Sequence, residues 1–134
     1  MKRVCLALLI LCFLLGGCTN NSNLEEIRII HEKSFFKDYE IQNETVLIYC
    51  KVYIQNDSQQ RKTVKLLGSF HEDHASGLLK ESQIYASTEG DADEISFIVP
   101  PGGIALDVVF RGGFGGFSQK QNRLLPDIQP IITD

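Results

Sequence analysis

Between Thr45 and Arg111 the apolar residues of this chain fall repeatedly at every second position. Val46, Ile48, Cys50, Val52 and Ile54 share one side of an extended backbone, with Thr45, Leu47, Tyr49, Lys51 and Tyr53 on the other. Successive strand side chains point to opposite faces, so this period of two predicts a half-buried β-strand over 45–54. Asn56-Asp57-Ser58 supplies a turn, after which Arg61–Phe70 resumes with Val64, Leu66 and Phe70 directed inward. Gln83–Ser87 reads as a shorter strand. Ile95, Phe97 and Val99 share the next buried face, which stops at Pro100-Pro101-Gly102-Gly103. Ile104, Leu106, Val108 and Phe110 then alternate with Ala105, Asp107, Val109 and Arg111. A last run, Ile128–Ile132, carries Pro130, which cannot donate to a strand ladder and so belongs on a sheet edge. Leu24–Lys33 fits both the helical and the strand period, and Ile27 with Ile29 inclines it to strand. The pattern contains no heptad, no internal repeat and no long amphipathic helix. Six or seven short strands punctuated by Gly, Pro and Asn predict an all-β fold, an antiparallel β-sandwich of about seven strands.

The first residues follow a different rule. Lys2 and Arg3 precede an apolar run from Val4 to Leu15. That run is too short to cross a bilayer, which needs about twenty residues, and its basic flank is that of an export signal. It ends in Leu15-Gly16-Gly17-Cys18, which resembles the lipobox of bacterial lipoproteins: a branched aliphatic residue, two small residues, then Cys. The resemblance implies that residues 1–17 are a cleaved signal peptide and that the Cys18 sulfur carries a diacylglycerol thioether. Residues 18–24 then form the lipidated Cys and a polar tether, and 25–134 the β-sandwich domain. Acyl chains contribute about 0.8 kcal/mol per buried CH₂, so lipidation of this kind anchors stably. The expected location is the extracytoplasmic face of the cell membrane or of an outer membrane.

Composition narrows the rest. A chain of 134 residues holds one small domain once a signal is subtracted. Hydrophobic residues at 43% and charged residues at 22% are those of a chain with a packed core, not of a disordered one. The formal charge of −4 becomes about −6 when Lys2 and Arg3 leave, which argues against a nucleic-acid partner. Of the 4 Cys, Cys5 and Cys12 depart with the signal and Cys18 is lipidated. Cys50 is therefore left without an internal disulfide partner, and its place in an apolar alternation predicts a buried, inert thiol.

The stretches Val52-Tyr53-Ile54-Gln55-Asn56-Asp57-Ser58, Val64 to Asp73 and Val99-Pro100-Pro101-Gly102-Gly103 resemble the small immunoglobulin-like domains of bacterial lipoproteins, the FxLyD type. The likeness covers Thr45 to Arg111 and rests on turn chemistry: an Asn-x-Ser turn, a Phe leading into an acidic loop, and a Pro-Gly turn before the last long strand. Where that family places Leu-Tyr-Asp after the Phe, this chain has His71-Glu72-Asp73. The family implies an immunoglobulin-like sandwich outside the cytoplasm and no shared enzymatic activity.

Three segments carry candidate chemistry. His71-Glu72-Asp73-His74 is the densest group of metal-ligating side chains, and His71, Asp73 and His74 are a candidate Zn²⁺ or Cu²⁺ set, with His31 a possible further ligand. A polar loop between strands is the competing reading. Glu89–Glu94 gathers carboxylates without the spacing of a calcium loop, and reads as a solvated acidic hairpin loop. In Gly112-Gly113-Phe114-Gly115-Gly116-Phe117 the glycines permit close backbone approach, and the two phenylalanines cap an open end of the sandwich. Alternatively Phe114 and Phe117 form an exposed binding tip beside Arg111, Lys120 and Arg123, the best candidate binding surface in the sequence. No nucleophile elbow, paired-carboxylate context or cofactor loop is present, so neither an enzyme nor a cofactor is expected. The function expected is a membrane-anchored binding module with an envelope protein or ligand as partner; the alternative is a metal-binding or metal-delivery lipoprotein using the His71–His74 loop.

Overall fold

The alternating runs become the central strands of an all-β domain in the computed structural model, which describes residues 26–118 and 124–133. In chain order the elements are β1 (Ile27–Ile29), β2 (Phe35–Gln42), β3 (Thr45–Asn56), β4 (Lys62–Ser69), α1 (His71–Ala75), β5 (Gln83–Ser87), β6 (Phe97–Val99), β7 (Ile104–Gly113) and β8 (Asp127–Ile132). The expected signal peptide, Cys18 and the expected tether lie outside the described residues.

Every strand pair is antiparallel. β3 is the longest strand and pairs along one edge with the whole of β7, Ile54 opposite Ile104 and Thr45 opposite Gly113. Its other edge is shared end to end by β1 and β2. Residues 30–34 step out between them, and Ser34 repairs the gap. Its hydroxyl accepts from the Tyr53 amide at 2.9 Å and donates to the Ile30 carbonyl at 2.8 Å. Around β4, β8 runs along one edge, while β6 and the first half of β5 share the other. β5 then changes partner: Gln83–Tyr85 pair with β4, and Ala86 and Ser87 pair with β7. This hand-over joins the two groups of strands into one antiparallel sheet that curls until β1 lies against β8, approaching the closure of a barrel.

Inside the curl lie the residues that the period of two selects: the alternate set of β3, Val64 and Leu66 of β4, Val108 and Phe110 of β7, and Phe97, Val99 and Ile128. Pro130 sits in β8, which among the described residues pairs only with β4, so the edge placement holds.

Three elements depart from the sequence reading. No alternation indicates β2, because a register shift between Phe36 and Asp38 breaks the period, so that its core-packed residues, Phe36 and Tyr39, are three apart instead of two. The segment after Phe70 is not a plain loop but a single helical turn, α1. The strand expected over Ile95–Val99 is shorter, and Ile95 packs half-buried against the core from outside it.

Strand directions place the first and last of the described residues. β3 runs from Thr45 to Asn56, and Glu26 lies beside its far end, where the Asp57 amide donates to the Glu26 carbonyl at 2.8 Å. Thr133 bonds Thr63 at that same end. The β2–β3 turn, α1, the 77–82 segment and the Gly-rich segment gather at the opposite end. At about 3.3 Å per residue, the 12 residues of β3 separate the two ends by roughly 40 Å.

Candidate functional site

The Gly-rich segment is laid against residues 77–81 by a nearly continuous run of backbone bonds. Lys80 donates to Gly113 O at 2.9 Å, Gly115 to Leu78 O at 2.8 Å and Phe117 to Gly77 O at 3.2 Å. A Cβ at position 115 would stand 2.2 Å from the Gly77 carbonyl oxygen, so only glycine permits the approach. The structural role expected of these glycines is therefore met here, against a partner segment that the sequence did not reveal.

Of the five residues of the candidate binding surface, Arg111, Phe114 and Phe117 fall among the described residues, and each has different surroundings. Arg111 projects from β7 toward the acidic loop, where its guanidinium donates to Ser87 Oγ, to Asp91 O at 2.8 Å and to Glu89 O at 3.4 Å. It ties down the 88–94 loop on the sheet's outer face. Phe114 packs against the core and bridges to Leu79. Phe117 is 49% exposed, so the two rings are not exposed as a pair. Lys120 and Arg123 lie outside the described residues.

The candidate metal residues occupy one short helical turn. His71 and His74 are three residues apart on α1, the spacing that puts side chains on one helical face. His74 Nδ1 is 3.2 Å from Leu79 O. Among the described residues, no group of three or more His, Cys, Asp or Glu side chains comes together to hold an ion. His31 lies in the step between β1 and β2.

Beside α1 the curled sheet leaves a groove of about 360 Å³. Phe36, Ile48 and Phe70 give it an apolar floor, with Glu72 and Asp127 on the rim and Leu125 on one wall. It opens between β2 and β8, each of which, among the described residues, pairs along one edge only. Sequence reasoning missed it because its lining comes from four separated stretches, and no spacing in a chain signals such a meeting. Its chemistry suits an apolar group presented with polar or cationic neighbours.

A second concavity, of about 530 Å³, lies on the outer face of β2, β3 and β7, bounded by Glu40, Tyr49, Glu89 and Arg111. The Tyr49 hydroxyl donates to the Glu40 carboxylate, and that bond is the first cause, ahead of burial, that pushes the phenol up to about 12.

Cys50 is buried, and burial alone pushes its thiol up to about 12. That shift lowers the thiolate population roughly a thousandfold at neutral pH. Alkylation by a maleimide, followed by mass spectrometry on the Cys50 peptide, is expected to leave it unmodified in the folded protein and modify it fully in urea. Rapid labelling without denaturant would place the residue at an accessible site.

Among the described residues, no helix is long and apolar enough to cross a membrane. No family model matches the chain, and neither the curated proteins nor the solved structures contain a significant match to it.

Proposed function

We propose that this protein is a membrane-anchored extracytoplasmic lipoprotein whose domain, an immunoglobulin-like β-sandwich, acts as a non-catalytic binding module. The observation that carries the reading is the separation of the two ends of the domain. The chain comes in at Glu26, close behind the lipobox cysteine, while the groove beside α1 and the half-exposed Phe117 lie at the other end. A tether from Cys18 therefore holds one end near the bilayer and turns the groove outward, toward an envelope protein or ligand. The hand-over of β5 between two groups of strands supports the two-layered sandwich, because such corners are how a strand changes sheets.

The test is Cys18→Ala combined with a photo-crosslinking residue at position 117 or, as a control, at Gln55. Cys18→Ala is expected to move the protein out of the membrane fraction, and unchanged fractionation overturns the lipid anchor. In intact cells, adducts are expected from position 117 and not from position 55. Equal yields from both positions overturn the outward-facing binding end.

A further inference from the structure

We propose that the groove beside α1 receives a short extended segment of a partner protein, in which one large apolar side chain stands between Lys or Arg residues. The proposal rests on the binding module proposed above and names the chemistry of its partner.

The floor sets the apolar requirement. Phe36, Ile48 and Phe70 line about 360 Å³, within the roughly 300–1,000 Å³ of pockets that hold a bound group. At the mouth Leu124 is 87% exposed, and covering it removes apolar surface from water. A single aromatic or branched aliphatic side chain satisfies both.

The rim sets the charge. Apart from the His71 imidazole, every ionisable side chain lining the groove is a carboxylate: Glu72, Asp73 and Asp127. Among the described residues, neither Glu72 nor Asp127 takes part in an ion pair, and both are exposed. Such a rim repels a fatty acid or an anionic headgroup and attracts a cation, for which the apolar floor has no partner. The apolar group and the positive charge therefore belong to neighbouring parts of one ligand.

The strands beside the groove favour a polypeptide. β2 and β8 do not pair with each other, so each turns an edge of main-chain donors and acceptors toward the opening. On β2 the Tyr39 amide is already taken by Asp38 Oδ1 at 2.8 Å, and on β8 Pro130 has no amide to offer. Residues 127–129 of β8 remain, at the mouth of the groove. Along them Ile128 turns into the core and Asp127 turns outward. A segment added as a strand there follows the same alternation. Its middle side chain falls on the Ile128 side, in the groove, and the two flanking ones fall on the Asp127 side. One apolar residue between two cations is the sequence that this alternation selects.

The experiment uses the lipidated protein in nanodiscs of phosphatidylcholine, whose headgroups carry no net charge. Fluorescein-labelled five-residue peptides are titrated and read by anisotropy. A peptide with Phe between two Lys is expected to bind saturably. Replacing the Phe by Ser, or both Lys by Glu, is expected to weaken it tenfold or more. Successive amides of a strand point to opposite sides, so N-methylation at the Phe or at the Lys after it is expected to weaken binding in one case. Glu72→Gln with Asp127→Asn removes no contact within the fold and is expected to weaken the Lys-flanked peptide roughly fivefold, while a Gln-flanked peptide is unaffected. Equal binding of the peptides, no saturable binding, indifference to both N-methylations or indifference to the carboxylate changes overturns the proposal. The same carboxylate changes in cells separate it from the binding module beneath it. Adducts at position 117 that persist undiminished leave the module standing without this partner chemistry, whereas no adducts from the unaltered protein remove the module itself.

Discussion

Phe110→Ala is expected to lower the free energy of unfolding by about 3–5 kcal/mol, the range for deleting a buried ring whose surroundings relax only in part. Phe110 is fully buried in β7, opposite Ile48 of β3 on one side and Ala86 of β5 on the other. It stands where β5 leaves one group of strands for the other, so its ring fills the corner that makes the sheet continuous. The ring meets Phe70 edge-on, with centroids 5.2 Å apart and planes at 68°, a geometry worth about 0.5–1.5 kcal/mol beyond area burial. Gly68 leaves the space for both: a Cβ there would come within 2.7 Å of one ring and 2.8 Å of the other. Removing Phe110 therefore opens a cavity that Phe70 fills only by tilting into it, which also loosens the floor of the groove beside α1. Urea unfolding followed by circular dichroism checks this. A midpoint within error of the unaltered protein would mean that the corner is held by the backbone alone.

The same residues explain what could be read from the sequence. β3, β4 and β7 were legible because each has one face in the core and one outside, and that asymmetry imposes alternation on the side chains. β2 is an edge strand with a register shift, its charges and adjacent phenylalanines obeying no single period. α1 spans only His71–Ala75, too few residues for any helical periodicity to accumulate. Arg111 was legible as a cation near glycines, but its partners, Ser87, Glu89 and Asp91, lie some twenty residues back in the chain. The glycines themselves signalled close approach, whereas the identity of the approaching segment, 77–81, depends on how β5 and β7 meet. The groove is the extreme case, since it exists only because β2 and β8 fail to pair with each other.

Asn56 was legible as part of a turn, and its larger role is as a buried strut. The side chain is 1% exposed, and all its hydrogen-bonding capacity is engaged. Nδ2 donates to Gln60 O at 2.9 Å and Val99 O at 3.0 Å, while Oδ1 accepts from the Ser58 amide at 3.0 Å and Ser58 Oγ at 2.7 Å. One amide thus fastens the end of β3, the β3–β4 turn and β6 together, at the end where Glu26 comes in. Asn56→Ala is expected to cost about 2–4 kcal/mol, because each buried group left unpaired costs roughly 1–3 kcal/mol and water regains only those nearest the surface. Asn56→Asp separates the donor role from the acceptor role at constant shape. The aspartate still accepts from Ser58, but its second oxygen faces two carbonyl oxygens and must be protonated to donate. Its carboxyl is therefore raised in the folded state above its unfolded value near 4. The sign follows from linkage: the fold tolerates the change below that unfolded value and loses stability as pH rises through the interval up to the folded one. Urea midpoints at acid and neutral pH are expected to show Asn56→Asp losing stability between them relative to Asn56→Ala. Parallel behaviour of the two variants would show that Nδ2 contributes no necessary bond. An Asp variant matching the unaltered protein at neutral pH would show that the Asn56 amide is not a strut, and that this end of the domain is held by its strand pairing alone.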